Sequence, residues 1–130
     1  MLTGMSLQDV LAEIAEERAR QDARWGEQNH PDGTGTAYGL SAVPELSAEF
    51  AKHRCDAAFA RGAGSWEHIL YEEFCEAMAE DDPERLRAEL LQTAAVAVHW
   101  IEAIDRRQAV DDGTTNPPRN PSRIGEPDVS

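Results

Sequence analysis

Lysine is almost missing from this chain. Of its twelve basic residues only Lys52 is a lysine, and they face 25 Asp and Glu, for a formal charge of −13. A deficit of cations excludes a protein that tracks a nucleic-acid polymer, because phosphate affinity comes from neutralisation by Lys and Arg. It also argues against docking on an anionic membrane. No run approaches the roughly 18 apolar residues of a membrane span. Met1-Leu2-Thr3-Gly4-Met5 lacks the basic and apolar regions of a secretory signal. Cysteine is scarce too: Cys55 and Cys75 stand in no CxxC spacing. Two cysteines exclude a disulfide framework and point to a reducing cytoplasm. Together with His30, His53, His68 and His99 they form no zinc-ligand spacing. Neither GxxxxGK[ST] nor GxGxxG occurs, so the loop holding Gly33 and Gly35 is no phosphate cradle of those kinds. No segment alternates with period two, so strands are not expected.

What is present is helical periodicity in a length that suits one domain with a real core. Ser6 caps a first helix, with Asp9 three residues on and Leu7, Val10, Leu11 and Ile14 as its apolar stripe. That helix runs to about Arg24, and a glycine-rich loop from Trp25 to Gly39 follows. Pro44 suits the first turn of a second helix, with Leu46, Phe50 and Ala57 on one side and Gly62 and Gly64 ending it. Ser65 caps a third helix, from Trp66 to about Glu80. Asp82-Pro83 opens a fourth, reaching about Arg107, whose middle from Leu90 to Ile101 is apolar on most faces. Such a helix is central to a bundle or lies in an oligomer interface. The fold class is all-α, a bundle of four to five helices over residues 1–108. Residues 109–130, rich in Pro and poor in apolar residues, are expected to be a disordered tail.

The informative acids are those that break the amphipathic pattern. At 100° per residue, Ile69, Leu70, Phe74, Ala77 and Met78 define the buried arc of the third helix. Glu73 falls inside that arc, Glu76 and Glu80 on its edge, Glu72 further out, and Tyr71 and Cys75 on the far side. On the fourth helix Leu86, Leu90, Thr93, Ala97, Trp100, Ile101 and Ile104 define the arc. Glu89 borders it, with Gln92 and His99 along the same edge. A charged carboxylate facing a core is costly unless something pairs it. The alternatives are solvated acids paired with Arg, or a divalent cation. Mg²⁺ prefers oxygen ligands and keeps waters for a phosphate substrate. Trp66 and Trp100 sit at core spacing, and His99 reads as a packed or hydrogen-bonding histidine.

Glu73-Phe74-Cys75-Glu76, then twelve residues, then Glu89-Leu90-Leu91-Gln92 resembles the ExxE…ExxD pattern of the MazG-like all-α nucleoside triphosphate pyrophosphohydrolases. Trp66-x-x-Ile69-Leu70-x-Glu72-Glu73 and the apolar run from Glu89 to Trp100 are similar to the same family. The stretch from Glu17 to Gln28 is similar to its phage and actinobacterial branch. The resemblance covers roughly residues 10–107. It implies a MazG-like bundle that hydrolyses a (d)NTP to (d)NMP and pyrophosphate with Mg²⁺ or Mn²⁺, as a cytoplasmic homodimer or homotetramer. Position by position, Glu73, Glu76 and Glu89 match metal-binding carboxylates, with Glu73 and Glu76 catalytic. Gln92 stands where the family has Asp. It is neutral, so Gln92 is a tolerated ligand, or Glu72 or Glu80 supplies the missing charge, or the chain keeps the fold as an inactive nucleotide- or protein-binding module. A third possibility, an acidic protein occupying a basic surface on a partner, needs its acids spread rather than clustered. In the loop after the first helix, Trp25 and Asn29 are candidates to stack on and hydrogen-bond a base. Arg24, like Arg18, is a candidate for triphosphate oxygens.

Overall fold

The computed structural model describes residues 6–35 and 39–111. Among these residues are four α-helices: α1 Leu7–Trp25, α2 Ala48–Ala60, α3 Trp66–Met78 and α4 Pro83–Asp111. Short 3₁₀ turns cover Leu40–Ala42 and Pro44–Leu46. Among the described residues there is no strand, and no helix is long and apolar enough to cross a membrane. The chain divides into two compact units, with α4 contributing to both.

The first unit contains α1 and the end of α4 from Ile101. A reciprocal cap starts α1: Asp9 N–H donates to Ser6 Oγ and Ser6 N–H to Asp9 Oδ2, both at 3.1 Å. The helix continues on ion pairs one turn apart, Arg20 with Glu17 and Arg18 with Asp22, each at 2.8 Å. Of the expected apolar stripe only Val10 is buried. Leu7, Leu11 and Ile14 are 40–46% exposed in the single chain. Ala103 is the buried residue that α4 gives to this unit.

In the second unit α2 packs on α3. The second helix begins later than Pro44. That proline starts only the 3₁₀ turn, and Ser47 then takes extended backbone and caps α2 by accepting from Phe50 N–H at 3.1 Å. The buried stripe is Ala51, Cys55 and Ala58, not Leu46, Phe50 and Ala57, and Phe50 is exposed. Small side chains at i, i+4 and i+7 let two helix backbones approach closely. Gly62, with φ +75°, makes the turn after α2. Ser65 caps α3 as expected, accepting from His68 N–H at 3.4 Å. The helix ends at Met78, two residues short of Glu80.

Cys75 is fully buried, which corrects its assignment to the far side of α3. Its neighbour on that side, Tyr71, is half-buried. The Tyr71 hydroxyl donates to the Glu45 carbonyl, and the Arg54 guanidinium lies 4.8 Å from its ring centroid. Arg54 is itself held by Glu67 at 3.0 Å. The single-arc reading failed because α3 is covered from two directions, by α2 on the Cys75 side and by α4 on the other. Trp66 packs against His99 and Trp100, while Glu73 and Glu76 lie beside Glu89. These two sets of contacts make α3 and α4 antiparallel.

Asp82 caps α4, its Oδ2 accepting from Arg85 N–H at 3.0 Å. The helix runs on to Asp111, so residues 109–111, which composition assigns to the tail, are helical. The remainder of the expected tail, 112–130, lies outside the described residues. Leu90 and Ile101, expected in the buried arc, are 45% and 39% exposed.

Candidate metal centre

Glu73 and Glu76 stand one helical turn apart on α3, and Glu89 comes from α4. One carboxylate oxygen from each lies within 4.8 Å of the other two. All three side chains are half-buried. Glu73 Oε1 and Glu89 Oε1 are closed off from solvent, with no hydrogen-bond partner. A buried charged oxygen without a donor is among the costliest features a fold can keep.

The electrostatics follow from this geometry. Burial raises the Glu73 carboxyl above its ordinary range, and the charges of Glu89 and Glu72 add to the effect. Glu76 is pushed up to about 7, first by burial, then by Glu73, Glu72 and Glu89, and finally by a hydrogen bond with Glu72. With its carboxyl at about 7, Glu76 still holds a proton in a large share of molecules near neutral pH. A divalent cation bound among the three carboxylates would supply compensation. The donor set is all oxygen, which suits a hard divalent cation. The thiols take no part: burial pushes Cys55 up to about 12 and raises Cys75 as well, keeping both protonated.

The other candidate residues are placed as follows. Glu72 lies close enough to Cys55 and Glu76 to help raise the thiol and the carboxyl. The Glu80 carboxylate is outside the three-glutamate group, and its backbone carbonyl accepts from Thr34 Oγ1 at 2.6 Å. Alongside it, Gly35 N–H donates to the Met78 carbonyl at 2.9 Å, so this loop satisfies the open end of α3. Only glycine fits there, since φ is +118° and a Cβ would strike the Asp81 carboxylate. Gln92 is exposed, one turn along α4 from Glu89. Trp25, Arg24 and Asn29 belong to the first unit. Trp25 is 57% exposed, with the Arg24 guanidinium 5.2 Å from its ring centroid. Asn29 Nδ2 donates to Glu27 at 3.0 Å. Arg18 is engaged with Asp22 and Gln21.

One residue escaped the sequence reading. Lys52 pairs with Asp56 at 3.1 Å, and its charge is further favoured by Glu72 and Glu76. The sole lysine therefore borders the acidic group. The signal in the sequence was its rarity, but nothing there placed α2 beside the acidic edge of α3.

Comparison of the chain with protein-family models, with curated proteins and with solved structures gives no match.

Proposed function

We propose that this protein is a divalent-metal-dependent nucleoside triphosphate pyrophosphohydrolase with a MazG-like helical fold. The observation that carries the reading is the convergence of Glu73, Glu76 and Glu89 from two antiparallel helices, two of their oxygens lacking any donor. Glu73, Glu76 and Glu89 would hold the metal, with Gln92 as a neutral fourth candidate beside them. A divalent cation held there would neutralise triphosphate charge and lower the pKa of the attacking water. Glu73 and Glu76 orient that water on the α-phosphate side, and a free carboxylate oxygen of the pair accepts its proton. The products are a nucleoside monophosphate and pyrophosphate. Burial of both cysteines as free thiols supports a reducing, cytoplasmic setting. Leu90 and Leu91, 45% and 57% exposed on α4, support a homodimer or homotetramer.

The test is a panel of NTPs and dNTPs with Mg²⁺ or Mn²⁺, assayed for pyrophosphate. Release from at least one nucleotide is expected, and Glu73→Gln or Glu76→Gln should lower it by roughly a hundredfold or more. A second reading has one observation in its favour, the neutral Gln92 in place of Asp: an inactive relative that binds nucleotide or protein. On that reading nucleotide binds in the presence of Mn²⁺ and no pyrophosphate appears. A melting temperature indifferent to millimolar Mn²⁺ would sink both.

A further inference from the structure

The contact between α3 and α4 continues beyond the carboxylates. Trp66 precedes Glu73 by seven residues, two turns and on the order of 10 Å along the axis, on the same side of α3. Trp100 follows Glu89 by eleven residues, three turns, again on the same side. Each helix thus carries an acid at one end of this seam and an aromatic at the other, and the antiparallel arrangement brings like to like. The rings of Trp66 and Trp100 are nearly parallel, 11° apart in plane with centroids at 6.5 Å. The His99 ring meets Trp66 edge-on at 4.8 Å. Exposure rises across the group: Trp66 is buried, Trp100 half-buried and His99 exposed. Between the two ends Ile69, Leu70, Thr93 and Val96 are half-buried and carry no charge.

We propose that this aromatic end, with Trp100 as stacking platform and His99 as polar edge, receives the nucleobase of the substrate; the inference rests on the triphosphate reading of the carboxylates. The seam between the two helices has the chemical order of a nucleotide. Acids suited to a metal and its phosphates come first, an uncharged, half-buried stretch comes next, and then the aromatic rings. Base stacking on an aromatic ring tolerates every base. Discrimination falls to His99, whose imidazole offers one donor and one acceptor in its neutral form. Trp66, behind them, fixes the orientation of both rings. Trp66 is buried, in line with the packing role expected for it, while Trp100 is half-buried and His99 exposed. Base recognition accordingly moves from Trp25 and Asn29 to α4.

The experiment measures binding to the full-length chain with Mn²⁺ for two probes: inorganic tripolyphosphate, which has no base, and α,β-methylene nucleoside triphosphates of each base, which resist cleavage. His99→Ala and Trp100→Leu should each weaken nucleotide binding by roughly tenfold and leave tripolyphosphate within about twofold of wild type. His99→Ala should also flatten the ranking among bases. His99 is exposed, so this variant keeps the test valid even if Trp100→Leu melts early. Equal losses for both probes, or no loss for nucleotides in either variant, overturn the base site while the triphosphate reading stands. Wild type that binds neither probe defeats the triphosphate reading itself, and this inference with it.

Discussion

The two sides of α3 are built on opposite principles. Towards α2 it presents Cys75, fully buried, to a helix whose inward stripe is Ala51, Cys55 and Ala58. Towards α4 it presents Glu73 and Glu76, half-buried, to another glutamate. The first side is small, apolar and closed, and its content is packing. The second keeps charged oxygens out of water without donors, which a fold selected only for stability would replace by apolar side chains. The contrast teaches where this molecule spends stability: the α2 side holds α3 in place, and the α4 side uses that rigidity to keep like charges together.

Overfilling the closed side should have the largest effect. Ala58→Leu forces extra methylenes into a fully buried helix contact and should cost about 1–3 kcal/mol, read as a lower denaturant midpoint. A midpoint equal to wild type would mean that α2 and α3 do not meet closely at Ala58.

The charged side should announce itself through pH. Glu76 has a carboxyl raised from 4.5 to about 7, and Glu73 is also raised. Between those values the folded chain binds more protons than the unfolded one. Stability of the metal-free protein therefore falls as pH rises from about 4.5 to 7 and stays at the lower level above that. The loss should be on the order of 1–2 kcal/mol, less than the full shift implies because the side chains are partly solvated. Glu76→Gln should flatten the slope, and millimolar Mn²⁺ should raise the high-pH level. A slope that survives Glu76→Gln unchanged would place the titration elsewhere.

Glu89→Leu sharpens the comparison by making the open side resemble the closed one. Removing a carboxylate with a donorless buried oxygen should stabilise the metal-free chain by about 1 kcal/mol and abolish the thermal response to Mn²⁺. Destabilisation together with an intact Mn²⁺ response would remove Glu89 from the centre. The smallest effect is expected from Gln92→Asp. Exposed and one turn from Glu89, an added charge should tighten Mn²⁺ by a few-fold, about 1 kcal/mol or less, in a calorimetric titration. Unchanged affinity would take residue 92 out of the centre.

Local chemistry determined much of this from the sequence alone. Ser6, Ser65 and Asp82 each cap the helix they were expected to cap, because capping is decided within three residues of the cap itself. All-helical architecture follows from periodicity. Glu73 stood out as an acid on an apolar arc, and Glu76 and Glu89 bordered their arcs by the same arithmetic. Pro44 misled because Ser47, three residues on, is the better cap and the intervening turn is only 3₁₀. Cys75 misled because a helical wheel with one buried arc has no place for a helix covered from two sides. What only the tertiary structure decided is which faces meet: that α2 packs on α3, that Lys52 borders the acids, that Glu89 crosses from α4 to Glu73 and Glu76, and that His99 and Trp100 meet Trp66. Those facts depend on the pairing of helices distant in the chain, and every amphipathic helix offers several partners of nearly equal hydrophobic value. Burial fixes the total apolar area, and side-chain shape chooses among the pairings.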